Sequence, residues 1–220
     1  MLFRFLFFGL CLIIMARLSA QDDDLPSKYR EDQFYISFAL QIQQQDINGF
    51  KQNGFSNNFQ IGFIRDIPIN PEGTFALGLG VGYDYNRLIS NLSLSKIENK
   101  IKFSLTDNQK NLQTFSSLVF PLSLRLRSST PYRTDFWRLY GGLKYRLLFS
   151  SRFHPVIGDS FKNDRIRKNN TAVFLSMGYN TWNMFLEYDL NSIYKGETTL
   201  FSEGNLELQT LKIGLIFYIL

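Results

Sequence analysis

Three charged doublets recur at two-residue spacing: Arg125 with Arg127, Lys144 with Arg146, and Glu187 with Asp189. Asp84, Arg138 and Lys212 hold the same phase against their apolar neighbours. Carboxylates facing amines can move protons, select ions along a pore, or neutralise one another. No other chemistry is as well supplied. His154, the single histidine, stands beside Pro155 in a segment that reads as a long loop, and no partner for a catalytic base is apparent. The glycines of "GLGVG" (78–82) miss the dinucleotide spacing, because Tyr83 stands where the third glycine belongs and no helix-forming segment follows. No P-loop, HExxH or G-x-S-x-G is present. No catalytic, cofactor-binding or metal-binding residue is therefore assigned, and no cofactor is expected.

The elements that must position these charges follow from alternation. In "TFALGLGVGYDYN" every second residue is large and apolar (Phe75, Leu77, Leu79, Val81, Tyr83, Tyr85), while those between are Ala, Gly or Asp84. The same two-residue period runs through "QFYISFALQIQ", "NFQIGF", "LVFPLSLRLR", "WRLYGGLKYRLLF", "VFLSMGY", "WNMFLEYDL" and "LKIGLIFYI". Alternation of this length is the strand signature, and the segments number eight. Their connections alternate in length. Residues 45–57, 87–114, 151–170 and 192–206 are long and polar, 67–73 and 128–135 are short, and Asn180-Thr181 is a tight hairpin. That pattern predicts an all-β fold, an eight-stranded antiparallel up-and-down transmembrane β-barrel with long extracellular loops. Within 87–114 the apolar positions Leu92, Leu94, Ile97, Ile101, Phe103 and Leu105 are expected to extend the hairpin above the membrane. Pro121 cannot donate to a ladder, so a bulge is expected there.

Volume decides which face looks outward. An eight-stranded lumen is just filled by side chains, on the order of a dozen in the comparable barrel core, whereas the aligned apolar positions number roughly forty. They must face outward. Water does not tolerate so apolar a wall, and lipid does. Small residues and charges then fill the lumen. Asp84, Arg125, Arg127, Arg138, Lys144, Arg146, Glu187, Asp189 and Lys212 form the expected lumen charge network, in which Glu187 or Asp189 reaches Lys212 on the next strand. Phe174, Phe185 and Ile216 share the inward phase. Phe34, Phe63, Phe75, Trp137, Tyr179, Trp182 and Phe217 fall toward one rim, and Tyr83, Tyr85, Tyr145, Phe149 and Tyr188 toward the other, as aromatic girdles do.

The start "MLFRFLFFGLCLIIMARLSA" reads as a signal peptide over 1–20, with Arg4 ahead of an apolar run and Ser19-Ala20 at the cut. A periplasmic segment 21–32 and an outer-membrane barrel 33–220 complete the expected organisation. Cys11 is the single cysteine and leaves with the leader, so no disulfide is expected. Removing Arg4 and Arg17 from the 24 basic residues leaves 22 against 19 acidic ones. So weak and dispersed an excess does not point to nucleic acid.

The stretches "GFIRDIPIN" (62–70), "GLGVGYDYN" (78–86), "FWRLYGGLKYRL" (136–147) and "LKIGLIFYIL" (211–220) carry a resemblance to the PorT-like outer-membrane β-barrel family of Bacteroidetes. The resemblance implies a barrel in the outer membrane with periplasmic termini. The namesake takes part in type IX secretion, while many members are described as porin-like. Nothing catalytic is carried over. The resulting expectation is a non-enzymatic structural or interaction component linked to outer-membrane secretion or assembly, with lipid and other outer-membrane or secretion-machinery proteins as partners. A small, weakly selective porin and a lipid-modifying enzyme are the alternatives.

Overall fold

The computed structural model describes residues 32–44, 49–97, 100–107, 109–128, 137–195 and 207–219. The expected signal peptide and nearly all of the 21–32 segment lie outside the described residues, as do most of 128–135 and 196–206. Among the described residues eleven strands follow one another: β1 (Gln33–Gln44), β2 (Asn57–Pro68), β3 (Phe75–Ser90), β4 (Leu92–Ile97), β5 (Lys100–Leu105), β6 (Asn111–Arg127), β7 (Trp137–His154), β8 (Phe161–Lys162), β9 (Asn169–Tyr179), β10 (Trp182–Asp189) and β11 (Gln209–Ile219). Eight of them, β1, β2, β3, β6, β7, β9, β10 and β11, pair antiparallel with their neighbours around a ring. It closes where β1 meets β11, Phe34 opposite Ile219 through Gln44 opposite Gln209. Closure leaves no free sheet edge inside the membrane, where an unpaired backbone group would be costly.

The wall alternates as the two-residue period requires. Along β6, Leu118, Phe120, Leu122, Leu124 and Leu126 are exposed while Val119, Ser123, Arg125 and Arg127 are buried. The outward belt also includes Phe38, Leu79, Trp137, Leu175, Met184 and Leu215. At the end bearing the short turns, hereafter the turn end, aromatic rings meet across strands. Phe34 and Phe63 lie 5.2 Å apart, Trp137 and Tyr179 5.6 Å, and Trp182 and Phe217 4.7 Å between centroids. Tyr83 and Phe149, 6.2 Å apart, belong to the opposite belt at the loop end. Two turns at the turn end are well specified. Gly73 takes φ 70°, with the Phe75 N–H donating to Asn70 Oδ1 at 2.8 Å. Asn180 takes φ 52° between the paired Tyr179 and Trp182.

Two strand boundaries and one bulge differ from the expectation. The segment 87–114 is not an open polar loop: its apolar positions extend the hairpin, as expected. β3 and β6 continue their ladder to Ser90 opposite Asn111, and β4 and β5 form a separate hairpin between them. β7 likewise runs on to His154, so the histidine ends a strand instead of sitting in a loop, and β8 pairs with it. The bulge expected at Pro121 is elsewhere. Opposite Phe120 and Pro121 the pairing with β3 lapses, yet it resumes in the same register, so the missing N–H removes bonds without inserting a residue. The register shift lies between β6 and β7 at Ser116/Ser117, where Phe149 is the extra residue.

Candidate functional site: the packed lumen

At the turn end Asp66 receives both Arg125 and Arg127, the latter at 2.7 Å from Oδ2, and all three side chains are buried. Arg127 Nε also donates to the Gly73 carbonyl at 2.6 Å, tying the ion pair to the turn. Arg138 Nη1 donates to the Asn180 carbonyl at 2.8 Å, which ties it to the other turn. The Arg125 guanidinium lies 4.2 Å from the centre of the Tyr140 ring. Gly78 is what lets that guanidinium lie flat against β3, since a Cβ there would stand 2.8 Å from Arg125 Nε.

Above this floor comes an apolar layer: Tyr35, Ala39, Ile64, Tyr140, Phe185, Ile216 and Tyr218. Tyr140 and Tyr218 meet edge to face at 5.3 Å. A Cβ on Gly82 would collide with the Tyr35 hydroxyl, so the small residue makes room for the ring. This layer separates the turn-end ions from a second, larger set.

That set sits in the middle of the lumen. Lys144 Nζ lies 2.6 Å from Glu187 Oε2 and 2.8 Å from Gln60 Oε1. Arg146 meets three acids: Asp189 at 2.6 Å, Asp84 at 3.1 Å, and Glu187. Its contact with Asp84 is an ion pair without hydrogen-bond alignment, because the Arg146 Nε–H finds no acceptor in line. Lys212 Nζ lies 2.9 Å from Glu187 Oε1 and 3.9 Å from Asp84 Oδ2. Asn58 and Asn86 donate to the two oxygens of Asp84. Three acids thus face three bases, with amides donating further to Asp84 and Glu187. That balance is the condition under which buried ions are tolerated at all. Lys144 is further flanked by the rings of Phe174 and Phe185 at 4.9 and 5.3 Å, so these inward aromatics serve the ammonium from either side.

The loop end is closed by an apolar cap. Phe50, Leu88, Leu92, Leu94, Phe103, Phe115, Phe153, Ile166, Ile193, Tyr194 and Leu208 form one buried cluster. Phe103 of the β4–β5 hairpin meets Tyr194 edge to face at 5.4 Å, and the Tyr194 hydroxyl donates to Gln113 Oε1 at 2.6 Å. Asn91 fastens the hairpin to the β1–β2 connection: its Oδ1 accepts from the Lys51 N–H at 2.8 Å and its Nδ2 donates to the Gly49 carbonyl at 2.7 Å. Burial pushes the Tyr194 phenol up from its ordinary value. Between cap and charges remains a cavity of about 20 Å³ bordered by Arg146, Asp189, Ile166 and Ile193. It has room for roughly one water.

Every charge assigned to the lumen from the sequence is buried in it, but the set divides. Arg125, Arg127 and Arg138 lie at the turn end; Asp84, Lys144, Arg146, Glu187, Asp189 and Lys212 lie at mid-lumen. Of the two acids offered to Lys212, Glu187 takes it and Asp189 pairs with Arg146. Asp66 was missed because the alternating run was ended at Phe63. Carried on through Arg65 and Ile67, the same phase turns Asp66 inward toward Arg125 and Arg127. Among the described residues no group of His, Cys, Asp and Glu is arranged to hold a metal. His154 Nε2 lies 3.3 Å from Thr114 Oγ1 on the outer wall, away from the lumen acids.

A closed ring of eight antiparallel strands, apolar outside and ionic within, defines an integral outer-membrane β-barrel protein. Residues 19–194 match the family described as outer membrane protein beta-barrel domain, and the chain belongs to that family. No curated protein matches the chain.

Proposed function

We propose that the protein is a non-conducting structural or interaction component of the outer membrane, linked to secretion or assembly, with its termini periplasmic and its long connections extracellular. The observation that carries this reading is the double closure of the lumen. Arg146 holds three acids at mid-height, and the cap fills the mouth above. A porin needs a continuous wet path, and an ion passing here would have to break a charge-balanced set or unfold the cap. The orientation rests on the alternation of long and short connections. The resemblance to PorT-like barrels supports the link to secretion, and type IX secretion is its specific form. With the lumen occupied, the exposed loop end is the surface left for partners.

Two measurements test the reading. The purified barrel in planar bilayers should show no steady current, whereas stable single-channel steps would favour a porin. A photo-crosslinker placed at Ile157, 82% exposed at the tip of the β7–β8 connection, should capture an envelope protein in native membranes. Crosslinks to lipid alone would remove the interaction role.

A further inference from the structure

The bulge at Phe149 does more than interrupt a ladder. Along β7 the inward side chains fall at Arg138, Tyr140, Lys144 and Arg146, so unbroken alternation would send Arg152 inward and Phe153 out. The extra residue reverses that phase. Phe153 is buried in the cap, and Arg152 is exposed on the outer wall. There it enters a row. Arg87 on β3 lies opposite Thr114 on β6, Thr114 opposite Arg152 on β7, and Arg152 opposite Lys162 on β8. Neighbours in such a row are about 5 Å apart. Like charges directly opposite are unfavourable in a sheet. Neither Arg152 nor Lys162 has an ion-pair or hydrogen-bond partner for its side chain among the described residues, although Asp159 and Asp164 flank β8. Arg87 spends one N–H on the Phe55 carbonyl at 3.4 Å.

The height of the row says what would neutralise it. One step toward the membrane lie Tyr85, Ser116 and Ser150; the next step holds Tyr83, with Phe149 packed against it. Phe149 is 59% exposed on the lipid side. Between Phe149 and Lys162 opens a groove of about 370 Å³ with the hydroxyls of Ser150 and Ser160 in its lining. Cations and hydroxyls just above an aromatic belt stand at the level of lipid phosphates.

The geometry points to a binding site for the phosphate of an anionic lipid on the outer wall, built by Arg87, Thr114, Arg152 and Lys162, with the acyl chains against Tyr83 and Phe149. The cations of Arg152 and Lys162, with Arg87 beside them and the Thr114, Ser150 and Ser160 hydroxyls around them, suit a phosphate monoester, whose two charges and three free oxygens match them better than a zwitterionic head group does. The site does not depend on whether the lumen conducts.

The test uses the full barrel, delipidated in detergent, with native mass spectrometry reporting bound lipid. Phosphatidic acid should be retained at least tenfold more tightly than phosphatidylcholine of the same chains. Arg152→Gln with Lys162→Gln should lower phosphatidic acid retention on the order of tenfold and leave phosphatidylcholine unchanged. Lys51→Gln, a charge removed at the same end but beside Asp107, should change neither. Both substituted side chains are exposed, so the barrel should melt unchanged. Equal retention of the two lipids would overturn the site. So would an equal loss on Lys51→Gln, which would mean diffuse attraction. Displacement of the lipid by an equal concentration of glycerol 3-phosphate would mark a soluble-phosphate site and overturn the assignment to lipid.

Discussion

Glu187 is the residue on which the mid-lumen charges converge. Lys144, Arg146 and Lys212 all reach its carboxylate, and Gln60 donates to it at 3.3 Å. Glu187→Gln keeps the shape and removes one charge, leaving three cations against Asp84 and Asp189. Breaking a buried pair from one side costs about 3–5 kcal/mol. Denaturant unfolding in detergent should show a loss of that order, and adding Lys144→Met should recover much of it by restoring charge balance. A loss below about 1 kcal/mol would mean that water already screens the site. Tyr194 offers a second, pH-dependent case. Burial raises its phenol above the ordinary 10.0, so the neutral form is the one the cap favours. That contribution is complete below the unfolded value and is lost as pH rises through the higher folded one. Tyr194→Phe should cost about 1 kcal/mol for the hydrogen bond to Gln113 and abolish the alkaline loss of cap stability, followed by hydrogen exchange of the 92–105 amides.

At the scale of elements, strand phase was legible wherever alternation ran unbroken. Lys212 and Glu187 could be paired because adjacent strands with inward phase must face each other, and the register places them directly opposite. Arg146 meeting Asp84 was not legible, because β3 and β7 are separated by β6 and only the curvature of the closed ring brings them together. Arg152 was hidden for another reason. A bulge leaves no residue type as its mark, and Phe149 looks like any other lipid-facing aromatic. The cap was half visible: Leu92, Leu94, Phe103 and Leu105 alternate within a stretch otherwise polar, but what they would cover depends on tertiary packing. The bulge itself can be tested by deleting Phe149. A regular ladder would then carry Leu148 opposite Ser117 straight on to Ser150 opposite Ser116, so Arg152 stays outward and Phe153 stays in the cap, the phase they have in the intact chain. Limited proteolysis of the 155–165 region should therefore match the intact chain in the deletion and in Phe149→Ala alike. Opening of that region in the deletion alone would show that the cap needs the twist and bend of the bulge and not only the phase it sets.

For the molecule as a whole, the lumen is a stack: ions at the turn end, aromatics above them, a balanced ionic layer at mid-height, and an apolar cap. These layers close the lumen in series, so removing one should not open it. The cap is the layer that can be taken away with least harm, since the β4–β5 hairpin pairs within itself and contributes no strand to the ring. Replacing residues 92–105 with a short Gly-Ser link removes Leu92, Leu94 and Phe103 from the cluster and exposes the face of Arg146, Asp189 and Lys212 that borders the small cavity. The barrel should still form, because its strand pairs are untouched, and it should melt below the full chain by the lost burial of three large side chains, about 1.5–3 kcal/mol each. In planar bilayers it should remain closed, because the mid-lumen side chains still span the cross-section from β3, β7, β10 and β11. Current appearing on removal of the hairpin alone would place the whole barrier in the cap and make the protein a gated pore. Silence even once Lys144, Arg146 and Glu187 are also truncated to Ala would show that the turn-end ions and the aromatic layer close the lumen by themselves, and current at that point would leave the ionic layer as the last barrier.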